Sequence, residues 1–578
     1  MPDTSKRMNR KSRRNFLKYT GVGMTAAIAG CTGGEEDDPE SDDDAANGDD
    51  TSDDSSADDG DDAPDEENEF VFLASNAMDS PLDPALHNGS TEMMAFFNFY
   101  DTLIWFDENN EPIEQLATDW EVEDGGQTWV FDIREGVQTH DGNEVTAHDF
   151  VYSLERYVEI GLGLSGHFQG VYKNSEARDD YTLAIELENP SGEFINWCVL
   201  VHAVDSTVVR ENEEDGEFGE RGDWGQAYLA ENVAGTGPYK LREWRREEEL
   251  IYEKHDDYWG GWESNQFDVV RQRVILEDST QQLTMQQSDA DMSSDLLAPD
   301  IYTALDEEDH IDFISEPVIR LNYHNINTTR PPTDDRQFRK AMIHSIDYDI
   351  NRENIYGFME PIAGCLPDQL PGSNDDLDPY AKDEEVALEA FEQSEYTADD
   401  VNNMDFACHV FAGSAVGMDS ALLIQTAFDD LFGIDLSIRE TELSELVALM
   451  SDPDTNPHIT AGLANTADFP NHDQFLHFMW HPDNTMDNTG HPAGGSYWTD
   501  EELTPLLEDA RLESDRERRL EMYAQAEEIV YNNYPMFFVG SNPVNYALNA
   551  NVDGFSYRGA QGTERRVYEM YRTGGGRA

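Results

Sequence analysis

Apolar and polar positions alternate most clearly over Trp129-Val130-Phe131-Asp132-Ile133-Arg134, which places Trp129, Phe131 and Ile133 on one face of a strand. Phe70 to Ala74 is an unbroken apolar run, the pattern of a buried strand, and it leads into the polar corner Ser75-Asn76. Val233 to Gly261 reads as a turn, Gly235-Thr236-Gly237-Pro238, followed by two short strands around Tyr239-Leu241 and Leu250-Tyr252. Its two glycines let the backbone come close to a neighbour. Helical spacing predicts four helices of interest. One runs from Thr91 to Tyr100 with Met94, Phe97 and Tyr100 apolar, and one from Thr146, boxed by Asp149, to Tyr157. A third starts at Asp334 or Asp335 and aligns Phe338, Ala341, Met342, Ser345 and Ile346. The fourth is capped by Ser514-x-x-Glu517 and turns Leu520, Tyr523, Ala524 and Val530 inward; Pro535 then stops it before the apolar run Met536 to Val539.

At 578 residues the chain exceeds one compact core. Its 122 acids against 37 bases give a net charge of −85, and beyond Cys31 there are 5 Lys beside 25 Arg. Acid spread along the whole length, with Lys scarce, predicts life in concentrated salt, as in a salt-loving archaeon, where a Debye length of about 3 Å screens the self-repulsion. Such a surface repels phosphate, so nucleic acid is excluded as a partner.

Near the start, Ser12-Arg13-Arg14-Asn15-Phe16-Leu17-Lys18 is a twin-arginine export signal built on Arg13 and Arg14. The apolar stretch Tyr19 to Gly30 is too short to span a membrane. Ile28-Ala29-Gly30-Cys31 matches a lipobox, which makes Cys31 the lipidation site and the lipid the chain's only membrane anchor. Residues 32–69 hold 20 acids and no Lys or Arg, too little apolar surface to fold, and read as a disordered spacer. The expected location is the cell surface, on the outer face of the cytoplasmic membrane.

TWVFDIREGVQTHDGNEVTAHDFVYSLER, over residues 128–156, resembles the signature segment of the extracellular solute-binding proteins of ABC importers, family 5. SPLDPAL and EQLATDWEV upstream, GTGPYKL with a DYWGG ending, and the elements around 271–292, 321–347 and 514–539 fit the same family in the same order. The resemblance implies an α/β fold of two lobes with a hinge, closing over a ligand. Its boundaries are a signal at 1–31, the linker at 32–69, lobe I at 70–320 and 536–578, and lobe II at 321–535. It implies binding rather than catalysis, no cofactor, a monomer, an oligopeptide-like ligand and an ABC permease as partner. Oligosaccharide or nickel-complex binding by the same fold is the alternative, and a secreted acidic hydrolase the competitor from another class.

The family motif resembling GW-x-x-DYPDP falls on Gly462-Leu463-Ala464-Asn465-Thr466-Ala467-Asp468-Phe469-Pro470-Asn471-His472. Gly-Leu replaces Gly-Trp, and Asn471-His472 replaces Asp-Pro. The resemblance implies that Asp468 meets a ligand ammonium, a charge-assisted bond suited to a dry cleft. It also puts Gly462, Ala464, Asn465, Ser75 and Asn76 at the cleft, where protein backbone pairs with an extended ligand. Trp480 and Trp498 are candidates to stack on the ligand, or else core. His472, His477, His481 and His491 invite a metal, but their spacing matches no ordinary zinc pattern. Gly161 to Gly166 spells GxGxxG after a helix rather than a strand, hence a loop and not a phosphate cradle. Cys198, Cys365 and Cys408 allow one disulfide at most, either Cys365–Cys408 or none.

Overall fold

The computed structural model describes residues 67–76, 81–86, 90–162, 168, 170–374, 376–489, 492–558 and 566–574. Arg13, Arg14, Cys31, nearly all of the acidic spacer, residues 163–166 and His491 lie outside the described residues.

Buried apolar side chains fall into two large clusters. The first gathers Phe70, Phe72, Phe131, Phe150, Tyr239 and Tyr252 with Tyr546 and Leu548 from the far end of the chain. The strand Glu69–Ala74 sends Phe70 and Phe72 into it, while Val71 and Leu73 enter a smaller cluster on the opposite face. A strand covered on both sides has no polar face to show, which is why its sequence is continuously apolar. It pairs in parallel with Val269–Val274, and Glu249–Lys254 and Tyr239–Arg245 complete that sheet. A second, antiparallel sheet is ordered Ala117–Glu123, Thr128–Ile133, Thr182–Leu187, Tyr172–Asp179.

The helix Ala147–Ile160 starts as expected: the Thr146 N–H donates to Asp149 Oδ2 at 2.8 Å. It ends on Gly161 in the left-handed region, φ 60°, so the first glycine of the GxGxxG string is a helix cap. Its Arg156 and the turn residue Asp83 form a fully buried pair, with Nη1 donating to Oδ1 at 2.6 Å and Nη2 to Oδ2. The close approach expected at Gly237 is real: its N–H donates to Phe99 O at 2.8 Å, and a Cβ there would lie 2.6 Å from Asn98 O. Downstream, Tyr258 and Trp259 both donate to buried Asp101, at 3.0 and 2.7 Å, so this glycine-aromatic stretch is scaffold.

The second core gathers Leu321, Tyr323, Phe338, Cys408, Phe428, Trp480 and Phe537. Its five-stranded sheet is ordered Ser437–Thr441, Ala407–Phe411, Ile459–Thr466, Arg320–Ile326, Met536–Gly540. The last strand lies in this second core, past the boundary expected at 536. All five residues of Met536–Gly540 are buried and the strand pairs with Arg320–Ile326, so the chain leaves the second sheet only after Gly540. The outward crossing is equally sharp, with Val318 in the first core and Ile319 in the second. The two crossings touch, since Ser541 Oγ donates to Val318 O at 3.2 Å.

Asp335 caps the helix Arg336–Ser345, accepting from the Gln337 N–H at 2.7 Å. The helix Arg516–Asn533 is capped by Asp515 instead of Ser514: the carboxylate directly before the first helical residue reaches the Arg518 N–H at 3.0 Å. Cys198, Cys365 and Cys408 are separate buried thiols, so the Cys365–Cys408 bridge is not formed.

Candidate ligand site where the two cores meet

Ile459–Thr466 is an interior strand of the second sheet, with Ala464 opposite Asn322 and Thr466 opposite Arg320. Gly462 needs its lack of a side chain: φ is 80°, and a Cβ would sit 2.7 Å from the Gly417 Cα. Its N–H donates to Nδ1 of buried His324 on the neighbouring strand Arg320–Ile326 at 3.1 Å, while its bare Cα lets the helix Ala415–Phe432 approach at Gly417. Ala464 is exposed and Asn465 is buried. Asn465 Nδ2 donates to Gln474 O at 3.0 Å, and Gln474 Nε2 donates back to Asn465 Oδ1 at 3.1 Å. That exchange folds the segment after the strand back on itself.

Asp468 is half-buried at the strand's exit, between two residues that belong to different cores. Ala467 is second-core and donates its N–H to Ile319 O at 2.9 Å. Phe469 is fully buried in the first core, edge-on to Trp197 with ring centroids 6.0 Å apart. Burying such a ring contributes about 2 kcal/mol, enough to hold the exit of the strand in place. Asp468 therefore stands where the chain steps from one core onto the other.

Contacts continue across the junction. Asn196 Nδ2 donates to Pro470 O at 2.9 Å, Asn110 Nδ2 to Gln369 O at 2.9 Å, and Arg516 pairs with Glu111. His472 is the most buried of these links. Its Nδ1 lies 2.6 Å from Glu193 Oε1 and its Nε2 lies 2.7 Å from Pro371 O, while Tyr523 stacks on the ring at 4.5 Å. Both ring nitrogens face acceptors, and only the doubly protonated imidazolium satisfies both. Burial alone would lower the His472 pKa, but the Glu193 carboxylate and the Pro371 carbonyl outweigh it and hold it above the ordinary value. For Glu193, burial opposes ionisation and His472 more than offsets it, so its pKa is depressed. Next door, burial pushes Asp473 up to about 6 despite Arg511 at 2.8 Å. The same cause raises Glu527 to about 7, although the Leu366 and Asn374 N–H groups donate to it.

The remaining candidates lie elsewhere. Ser75 bonds within its own core, to Ser294 Oγ at 2.6 Å and from Gln281 Nε2 at 3.2 Å, and Asn76 is exposed beside it. Trp480 is fully buried in the second core, its indole N–H donating to Phe475 O at 2.9 Å, with Trp498 edge-on at 5.8 Å. Both rings pack in the second core, the alternative left open for them beside stacking on a ligand. His477 and His481 stack at 4.3 Å, with His477 Nδ1 against Asn484 and Nε2 against Arg511. Among the described residues no group of three or more His, Cys, Asp or Glu side chains is arranged to hold a metal. A cavity of about 720 Å³ opens at the edge of the five-stranded sheet, by Arg330, His409, Arg439 and His458; Asp468 does not line it.

Sequence reasoning missed the Glu193 link, whose partners are 279 positions apart. The signal was the departure at Asn471-His472, where an imidazole stands in place of the family's proline.

The model of the bacterial extracellular solute-binding proteins, family 5, matches residues 111–487, well over half of the chain. The chain belongs to this family. The binding protein is 23% identical over 499 residues to the probable D,D-dipeptide-binding periplasmic protein DdpA of Escherichia coli, covering 85% of this chain and 92% of that one. In structure it resembles the Helicobacter pylori periplasmic binding protein DppA in complex with the peptide STSA, at TM-score 0.69 and 23% identity over 88% of this chain and 99% of the other. It also resembles Campylobacter jejuni NikZ in complex with Ni(L-His), at TM-score 0.69 and 16% identity over 88% and 100%. The fold is thus the α/β, two-lobe architecture of periplasmic binding proteins, and the family is one of extracellular solute binders. Among the described residues no helix is long and apolar enough to cross a membrane.

Proposed function

We propose that this chain is the substrate-binding lipoprotein of an ABC importer: it captures a short peptide outside the cell as its lobes close, and delivers it to a membrane permease. The single observation behind this reading is Asp468, a carboxylate at the step between two cores, in the position where the family motif carries its acid. The relatives named for dipeptides and the neighbour holding STSA favour a peptide over other solutes. Lobe I comprises the first core, with the chain up to 318 and after Gly540, and lobe II the second. Asp468 meets the peptide's ammonium, and Ala464 with the exposed edge at Asn76 supplies backbone for pairing. Binding energy drives closure, because the ligand gains contacts to both lobes only when they meet. Arg13 and Arg14 direct export, and lipid on Cys31 holds the protein at the outer face of the membrane.

Titration calorimetry with dialanine and Ser-Thr-Ser-Ala tests the ligand class. Asp468→Ala is expected to weaken binding by about 1.5–3 kcal/mol, the worth of a charge-assisted bond. Parental affinity in that variant, or heat only from a nickel–histidine complex, would overturn the reading. Cys31→Ser is expected to move the protein from the membrane to the soluble fraction; unchanged fractionation refutes the anchor.

A further inference from the structure

We propose that Glu193 is a positioning residue for the ligand site: through His472 it docks the segment that carries Asp468 onto the first core. The inference rests on the reading of Asp468 as the ligand's ammonium contact.

Asp468 is four residues before His472, and the intervening stretch is fastened at each step. Phe469 is buried against Trp197, Pro470 O accepts from Asn196, and Asn471 accepts the Asp473 N–H at 3.0 Å. Glu193, Asn196 and Trp197 all come from one short stretch of the first core, so a single surface receives the whole segment. Glu193 and His472 are the charged members of that contact, with side chains 6% and 5% exposed. Among the described residues the other Glu193 oxygen, Oε2, has no hydrogen-bond partner, so His472 is the cation bonded to the carboxylate, with Arg519 a further positive charge nearby. Removing the partner of a buried charge is far more disruptive than removing a surface pair.

The groups facing the imidazole are Glu193 from the first core, Asp473 and Arg511 beside it, and Arg519, Tyr523 and Glu527 from the helix Arg516–Asn533, with Asp368 behind Glu527. Their titrations bound the contact from both sides of the pH scale. His472 is held above its ordinary value, so its support for docking is complete below about 6.5 and is lost as pH rises through the elevated value. Glu193 is held below its ordinary value, so its support fails only in acid, as pH falls through the depressed value. Burial raises Asp473 to about 6 and Glu527 to about 7, so their ionisation opposes the junction as pH rises from the ordinary carboxylate range to those values.

The experiment uses the full chain in molar salt. Calorimetry with Ser-Thr-Ser-Ala between about pH 6 and 9 is expected to show a roughly tenfold loss of parental affinity on the alkaline side. Glu193→Gln should lose about tenfold at pH 6 and keep only the shallower alkaline loss that the peptide's own α-amino group, with an ordinary pKa of about 8, imposes on every variant. The double variant Glu193→Gln/His472→Gln, which offers a neutral hydrogen bond in the same place, should recover part of the affinity and keep the same shallower slope as Glu193→Gln. Hydrogen exchange of the amides from 468 to 474 without ligand gives a second readout, with protection falling in Glu193→Gln while the remainder of the protein keeps its own. Parental affinity, slope and protection in both variants would overturn the positioning role. Lost protection in a protein that binds no peptide at all would leave that role standing and refute the ligand reading instead.

Discussion

Two of the carboxylate–cation pairs that the protein buries differ in what they join and in whether they can lose their charge. Asp83 and Arg156 lie within the first core, both fully buried, with Arg156 Nε also donating to Trp224 O at 2.8 Å. A guanidinium stays charged at every pH the protein meets, so this pair is permanent once the core has formed. Glu193 and His472 lie across the junction, and the imidazolium depends on the carboxylate that faces it. An arginine inside a lobe fixes a fold. A histidine between lobes makes the contact conditional.

The sharpest way to break this contrast is Arg156→Ala. It leaves Asp83 buried without compensation and is expected to cost about 3–5 kcal/mol in denaturant unfolding. A loss no larger than that of an exposed pair such as Arg178–Glu123, 36% and 38% exposed, would mean that burial does not set the worth of these contacts. A smaller effect is expected from salt. Dialysis from molar to about 10 mM salt lengthens the Debye length from about 3 to about 30 Å and exposes the repulsion of a net charge of −85. The melting temperature should fall by a few degrees, about 1–2 kcal/mol, through the surface acids while the buried pairs are untouched. An unchanged melting temperature would remove concentrated salt from the account of this composition.

Local patterns were legible in the sequence where the physics is local. Thr146 and Asp149 box their helix, Asp335 caps the next, and the glycines of the GTGPY turn make the close approach their small size permits. The Asp83–Arg156 pair joins the SPLDPAL and SLER blocks in space, each supplying one half of a buried bond. What failed was either shifted by one residue, as with Ser514 for Asp515, or was settled by long-range pairing. Met536 to Val539 reads as an apolar strand in either lobe, and only its partner strand Arg320–Ile326 decides between them. Trp480 and Trp498 carry no mark in the sequence that separates a ring packed in a core from one offered to a ligand. The segment bearing Asp468 was found by its motif, but the surface that receives it comes from residues near 193–197, which no spacing rule connects to it.

The three body cysteines have a practical consequence for watching this protein at work. All are buried, and burial drives the thiols of Cys198 and Cys365 well up and Cys408 up to about 12, so none offers thiolate to a maleimide at neutral pH. A pair of cysteines introduced on the exposed surface of each lobe can therefore carry a donor and an acceptor dye against a silent background. The distance between those dyes then reports the opening and closing of single molecules directly.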